Sequence, residues 1–365
     1  MRLFLSICLT VGVALFPISV GAQSLEDQAG QMVMVGFSGT GIDDAGVQAV
    51  RDQVARGQVG GVMYLRTNVE SLGAVRAINR SLIMARPWLP PFIALDQEGG
   101  DIERLTAAVG FEEIASAKAI AAGTPERAEA IYAGMARDLK RLAFNLNFGP
   151  VVDLDLNPDN PIIARYDRAY GSDPERVTAF AGAFVAGHRA NGIATALKHF
   201  PGHGSSADDT HDGFVDITGV WEPRELEPYR RLVGGGEADM VMVAHLYNAD
   251  IQQGGAGRLP ASLSRTWIED ILRGELGFGG VVITDDLEMA AIRSRFDLHD
   301  TVVRAVEAGV DILLFSNTAA YDPELGAQIH AILVNEGRQR PEFAARIAQS
   351  YQRILALKRG TGILP

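Results

Sequence analysis

Residues 198–213 read KHFPGHGSSADDTHDG and hold three of the chain's seven histidines beside two adjacent aspartates. Three chemistries use such residues. A zinc centre would draw on His199, His203, Asp209 and His211, and histidines four apart bind zinc well on one helix face. Pro201-Gly202 lies between His199 and His203 and prevents that helix, and no cysteine is at hand. A serine hydrolase would use Ser205 or Ser206 with His211 and Asp209, but no nucleophile-elbow pattern surrounds either serine. Acid/base chemistry needs a titratable group held by a partner. Asp209-Thr210-His211 places a carboxylate two residues before an imidazole. In an extended stretch these side chains project the same way. Asp209 can then fix the tautomer of His211 and support its charged form. The Gly-, Ser- and Asp-rich stretch from 202 to 213 reads as a loop.

The elements that must position this loop are short apolar runs alternating with helical patterns. The runs are 31–37, 60–65, 91–96, 145–155, 193–200, 239–246, 279–286 and 311–316. Their unbroken apolar character fits strands buried on both faces of a parallel sheet. Between them lie amphipathic stretches such as PERAEAIYAGMARDLKRLAF and PERVTAFAGAFVAGHRANG, each opening at Thr or Asp followed by Pro and Glu. Eight strands separated by helices predict an α/β fold, a single-domain (β/α)8 TIM-type barrel. The other candidate, an open doubly wound sheet, would favour a Gly-rich dinucleotide loop, and residues 36–41 do not match that fingerprint. In a barrel, chemistry gathers at the C-terminal ends of the strands. Those ends carry Asp96, Asp153, Lys198-His199, His245, Asp285-Asp286 and Ser316-Asn317, which predicts one shared polar pocket. For Asp153 and Asp286, turn or helix capping is an equal reading.

KHFPGHGSSADDTH resembles the histidine-bearing loop of family 3 glycoside hydrolases of the β-N-acetylglucosaminidase (β-hexosaminidase) type, with the spacing to the Asp-Thr-His met without a gap. ALDQEGGDIERL, NFGPVVDLD, RAYGSDPERV and VITDDLEM resemble four further segments of that family, in its order, over residues 31 to about 320. Ser205 stands where the family usually has Asp, Tyr170 where it usually has Phe, and Asp212-Gly213-Phe214 departs from the usual stretch after the histidine.

The resemblance implies Asp285 as nucleophile, His211 as general acid/base with Asp209 orienting it, and Asp96, Arg104, Arg168, Lys198 and His199 as the groups that hold sugar hydroxyls. It implies a retaining exo-β-N-acetylglucosaminidase acting through a covalent glycosyl-Asp intermediate on peptidoglycan fragments or chito-oligosaccharides, with no metal and no organic cofactor. A β-glucosidase, a phosphorylase-like transfer of the sugar, and an inactive sugar-binding protein are the alternatives. Residue chemistry agrees: retention requires a carboxylate at the anomeric carbon and an acid on the leaving-group side. Lys198 and Arg168 are expected to keep Asp285 ionised. Asp286 is expected to cap the helix starting near Leu287, and His203 to be structural.

The first residues, MRLFLSICLTVGVALFPISVGA, read as a secretory signal over 1–22, which leaves a catalytic domain over 23–365 that is exported, periplasmic or secreted. The single cysteine, Cys8, falls in that leader, so the mature domain is held by its core without disulfides. Lys+Arg of 33 against Asp+Glu of 45 gives a formal charge of −12, with no basic block. That argues against a nucleic-acid partner and against binding an anionic membrane surface; the resemblance implies a small carbohydrate partner, and no stable membrane insertion is expected after signal removal.

Overall fold

Valine, isoleucine, leucine and methionine dominate the strands, and every residue of the eight main ones is buried, because barrel interior covers one face and helices the other. The computed structural model describes residues 23–251 and 257–364; the expected leader, 1–22, lies outside them. The strands are β1 (Val33–Gly36), β2 (Gly61–Tyr64), β3 (Phe92–Leu95), β4 (Leu146–Asn147), β5 (Ala194–Phe200), β6 (Val215–Asp216), β7 (Met240–Val243), β8 (Leu246–Tyr247), β9 (Val281–Thr284) and β10 (Leu313–Phe315). Eight of them form one parallel sheet in the order β10-β1-β2-β3-β4-β5-β7-β9. The ring closes where Ile283 bridges Ile312 and the Leu314 amide donates to Thr284 Oγ1 at 3.1 Å. This is the (β/α)8 barrel that the alternating runs predict.

The two amphipathic stretches form helices Pro125–Arg141 and Pro174–Arg189. The Thr124 hydroxyl accepts from the Arg127 amide, and the Asp173 carboxylate accepts from the amides of Glu175 and Arg176, so each start is capped as its sequence indicates. Gly187 lets these helices pack backbone to backbone: a Cβ there would lie 2.7 Å from the Ala133 nitrogen.

Two runs are more broken than expected. The run 145–155 contributes only Leu146–Asn147 as regular strand. Pro150 has no N–H for the ladder, and the chain rejoins β5 through the single bridge Val151–Lys198. The run 239–246 splits into β7 and β8, and β8 pairs with β6 as a small parallel pair apart from the barrel sheet. Both breaks fall where the chain leaves the barrel mouth. They set Asp153 and His245 beneath the loops that follow.

Candidate active site

β3 ends in Leu95, and the next residues place two carboxylates on a buried cation pair. Asp96 accepts from Lys198 Nζ at 2.6 Å and from Arg104 Nη2 at 2.8 Å. Glu98 accepts from Arg168 at both oxygens, 2.8 Å each, and lies 2.6 Å from Lys198 Nζ. Burial alone would raise both carboxyls. The cations more than offset it: Lys198, Arg104 and Arg168 hold Asp96 well below the carboxylate range, and Arg168 and Lys198 hold Glu98 at about 2. This network fixes three long side chains at the floor of a cavity of about 350 Å³.

β5 supplies Lys198 and His199. The His199 ring is held between Asp153, whose Oδ2 is 2.6 Å from Nδ1, and Arg168, whose Nη2 is 3.2 Å from Nε2. Asp153 also accepts from the backbone amides of His199 and His203. It is an internal brace for this turn, beyond the turn or cap role open to it from sequence. His203 is buried, with Nδ1 against the Ser206 hydroxyl, and burial lowers its pKa to about 4. The four side chains weighed for zinc are thus tied to separate partners: His199 to Asp153, His203 to Ser206, and Asp209 to His211.

The loop beyond carries the expected Asp–His pair, but a turn and not an extended stretch brings it together: the Asp212 amide donates to the Asp209 carbonyl at 3.1 Å. His211 Nδ1 lies 2.7 Å from Asp209 Oδ1, and the same oxygen accepts the His211 backbone amide at 2.8 Å. Among the described residues, His211 Nε2 has no partner. The hydrogen bond that His211 donates to Asp209 raises the imidazole pKa above 6.5, aided by the charges of Asp285, Asp209 and Asp286 and opposed by burial. The base of the loop is anchored by Glu225, which is buried and accepts from the Gly204 amide at 3.0 Å and the Ser205 hydroxyl at 2.6 Å. Burial pushes the Glu225 carboxyl up to about 7. Ser205, the departure from the family pattern, is therefore this loop's tie to the segment Pro223–Leu226. Tyr170, the other departure, is buried with its hydroxyl 2.8 Å from that of Tyr132.

β9 ends at Thr284, and Asp285 and Asp286 follow with opposite environments. Burial would raise Asp285, yet the nearby imidazoles of His199 and His211, together with the Asp286 amide that donates to its Oδ1 at 2.9 Å, bring it below its ordinary value. Here the structure corrects an expectation. Lys198 and Arg168 are held by Asp96 and Glu98, so His199, His211 and the Asp286 amide act on Asp285 in their place. Asp286 is pushed up to about 6 by burial, while the amides of Ser316 (2.8 Å) and Glu288 (3.1 Å) bind its Oδ1. It ties β10 to a turn and does not cap a helix as expected: no helix starts at Leu287, and the next one begins at Ala290 with Met289 at its N-cap. His245 lies beneath this pair. A carbonyl only accepts, so His245 Nε2 donates to Asp286 O at 2.8 Å and Nδ1 accepts from the Ser262 hydroxyl at 2.7 Å. Burial lowers its pKa, consistent with this neutral form.

Of the eight site residues expected from sequence, Asp96, Arg104, Arg168, Lys198, His199, His211 and Asp285 line this one cavity, and Asp209 stands behind His211. Glu98, Asp153 and His245 were given no site role. Asp153 and His245 do stand at strand ends, and Glu98 is a lone charge two residues after Asp96 in a glycine-rich turn. Nothing local reveals their partners.

A parallel barrel whose C-terminal mouth gathers carboxylates, buried cations and an Asp–His pair in one cavity defines a carbohydrate-processing enzyme, and the chain is a glycoside hydrolase. It belongs to family 3: the Glycosyl hydrolase family 3 N terminal domain matches residues 24–357. A "Beta-hexosaminidase" of Stenotrophomonas maltophilia is 35% identical over 306 residues, covering 81% of this chain and 86% of that one. A protein of the same name from Pseudomonas aeruginosa is 36% identical over 268 residues, covering 72% and 76%. The solved family 3 β-N-acetylglucosaminidase of Paenibacillus superposes with a TM-score of 0.83 at 34% identity, over 94% of this chain and 63% of that longer one. The β-N-acetylhexosaminidase of Beutenbergia cavernae superposes with a TM-score of 0.81 at 31% identity, over 93% and 99%.

Proposed function

We propose that this hydrolase removes terminal β-linked N-acetylglucosamine with retention, from peptidoglycan fragments or chito-oligosaccharides. The observation that carries the reading is the Asp209–His211 pair, with Nε2 unpartnered, on a loop that shares its cavity with the ionised Asp285. The names and structures of the relatives support the sugar. The cavity supports it too, because Met63, Leu65, Phe148 and Leu314 offer an apolar wall for an acetamido methyl opposite the polar floor.

In the first step an Asp285 oxygen bonds to the anomeric carbon. The bond from that carbon to the leaving oxygen breaks, and His211 Nε2–H protonates the departing oxygen. Asp209 steadies the imidazolium and its orientation. In the second step neutral His211 takes a proton from water, the water oxygen bonds to the anomeric carbon, and the Asp285 carboxylate is released. Asp96, Arg104, Arg168, Lys198 and His199 hold the sugar hydroxyls. Their mutual ion pairs fix them before substrate arrives, so little ordering remains for binding to accomplish.

Proton NMR of hydrolysis of the nitrophenyl β-glycoside of N-acetylglucosamine tests the outcome, because the leaving group carries no anomeric carbon of its own. Initial accumulation of the β-anomer of N-acetylglucosamine supports this reading. An initial α-anomer, or a sugar phosphate formed in phosphate buffer at the expense of free sugar, contradicts it.

A further inference from the structure

The Asp209 contact fixes the His211 ring relative to its own loop, not relative to Asp285. The His211 side chain is 63% exposed, and its single side-chain partner is two residues away on the same loop. Proton transfer needs a fixed distance to a sugar held at Asp285. Something must therefore fix the loop to the strand that bears the nucleophile.

Thr210 lies between the two members of the pair, inside the turn that the Asp212 amide closes on the Asp209 carbonyl at 3.1 Å. It is 1% exposed. Its Oγ1 lies 3.6 Å from Met289 Sδ, and its carbonyl accepts the Ala291 amide at 3.4 Å. Met289 follows Asp285 by four residues, lines the same cavity, and donates its own amide to Asp286 O at 3.0 Å. Among the described residues, every hydrogen bond from residues 207–213 that leaves the loop is made by Thr210.

We infer that Thr210 and Met289 form a latch that docks the His211 loop onto the turn after β9, which makes Thr210 a positioning residue for proton transfer; this rests on the reading of His211 as the acid. The hydroxyl–thioether contact sets the approach of the loop, and the Ala291–Thr210 backbone bond sets its height. Loss of the hydroxyl leaves the Asp209–His211 pair intact but lets it drift from the leaving oxygen.

The test compares chitobiose, whose leaving group needs protonation, with the dinitrophenyl glycoside of N-acetylglucosamine, whose leaving group does not. kcat/KM is used because it reports the glycosylation step. Thr210→Val keeps the shape and removes the hydroxyl, and should lower the chitobiose-to-dinitrophenyl ratio about tenfold, below the full effect of a lost general acid. Thr210→Ser keeps the hydroxyl and should restore the ratio. Met289→Leu should mimic Thr210→Val, and the double variant should be no worse than the worse single, since both remove one interaction. A wild-type ratio in Thr210→Val, a Thr210→Ser as impaired as Thr210→Val, or losses that multiply in the double variant would overturn the latch. His211→Ala separates the two claims. If it loses equally on both substrates, the acid reading fails. If it is selective against chitobiose and Thr210→Val is not, the latch alone fails.

Discussion

Asp209 and His211 were legible as a pair because they are two residues apart, but what joins them is a turn, closed by the Asp212 amide on the Asp209 carbonyl, and not the extended stretch expected. The structure places them 2.7 Å apart. Their electrostatics give a pH profile. Asp285, the proposed nucleophile, is held below its ordinary value and would have to be ionised to attack, so kcat/KM should fall on the acid side only below that ordinary value. His211 is raised above 6.5 and must be protonated to donate, so activity should fall on the basic side as pH rises through that raised value. Asp209→Asn removes the main cause of the raised value. Its basic limb should move down toward the free-imidazole value of about 6.5, which a kcat/KM profile will show; a limb that stays put or moves up contradicts the dyad. The choice of Asp285 over Asp286 was less legible, since both end the same run. The structure separates them by their surroundings: the amides of Ser316 and Glu288 tie down Asp286, whose carboxyl is raised, while the Asp286 amide and nearby imidazoles lower Asp285.

Strands were read well at this barrel's mouth wherever an apolar run ends cleanly, as at Leu95 and Thr284. They were read poorly where Pro150 interrupts the ladder, because the run 145–155 stays apolar past the last regular strand residue. What joins the elements was not legible at all. Arg168 meets Glu98 across 70 residues and Lys198 meets Asp96 across 102, and no local pattern encodes such pairs. Their energetics are nonetheless definite. Glu98→Ala would leave Arg168 without its bidentate partner and Lys198 with one carboxylate fewer, both nearly buried. Removing one member of a buried ion network costs about 3–5 kcal/mol. Urea unfolding should show a loss of that size, together with a raised KM as the cations lose their fixed positions. A loss below about 1 kcal/mol, the worth of a surface pair, would mean that the network is solvated in solution.

The whole barrel depends on its seam. β9 and β10 share few ladder bonds, and Asp311 reinforces them by accepting from the Val282 amide, Arg273, Arg346, Arg353 and the Ser350 hydroxyl. Burial would raise its pKa, and the three arginines bring it below the ordinary value. The sign follows from that direction: this stabilisation is fully present above the unfolded carboxyl pKa of about 3.9 and is lost as pH falls through the lower folded value. Asp311→Asn should therefore lower the thermal midpoint at pH 7, and the gap from wild type should shrink as pH falls below about 4; a gap independent of pH would assign Asp311 a purely steric role. Eight alternating runs made the barrel legible from sequence, but the seam was not, because Asp311 reads as an ordinary residue at the start of a strand. Above that seam the proposed chemistry turns on a covalent bond to Asp285, which intact-protein mass spectrometry detects. Incubation with an activated 2-fluoro glycosyl donor should add the mass of one sugar, peptide mapping should place it on Asp285, and Asp285→Asn should neither turn over nor be labelled. A sugar mapped to Asp286 or Glu98, or no adduct while the reagent is consumed, would contradict it.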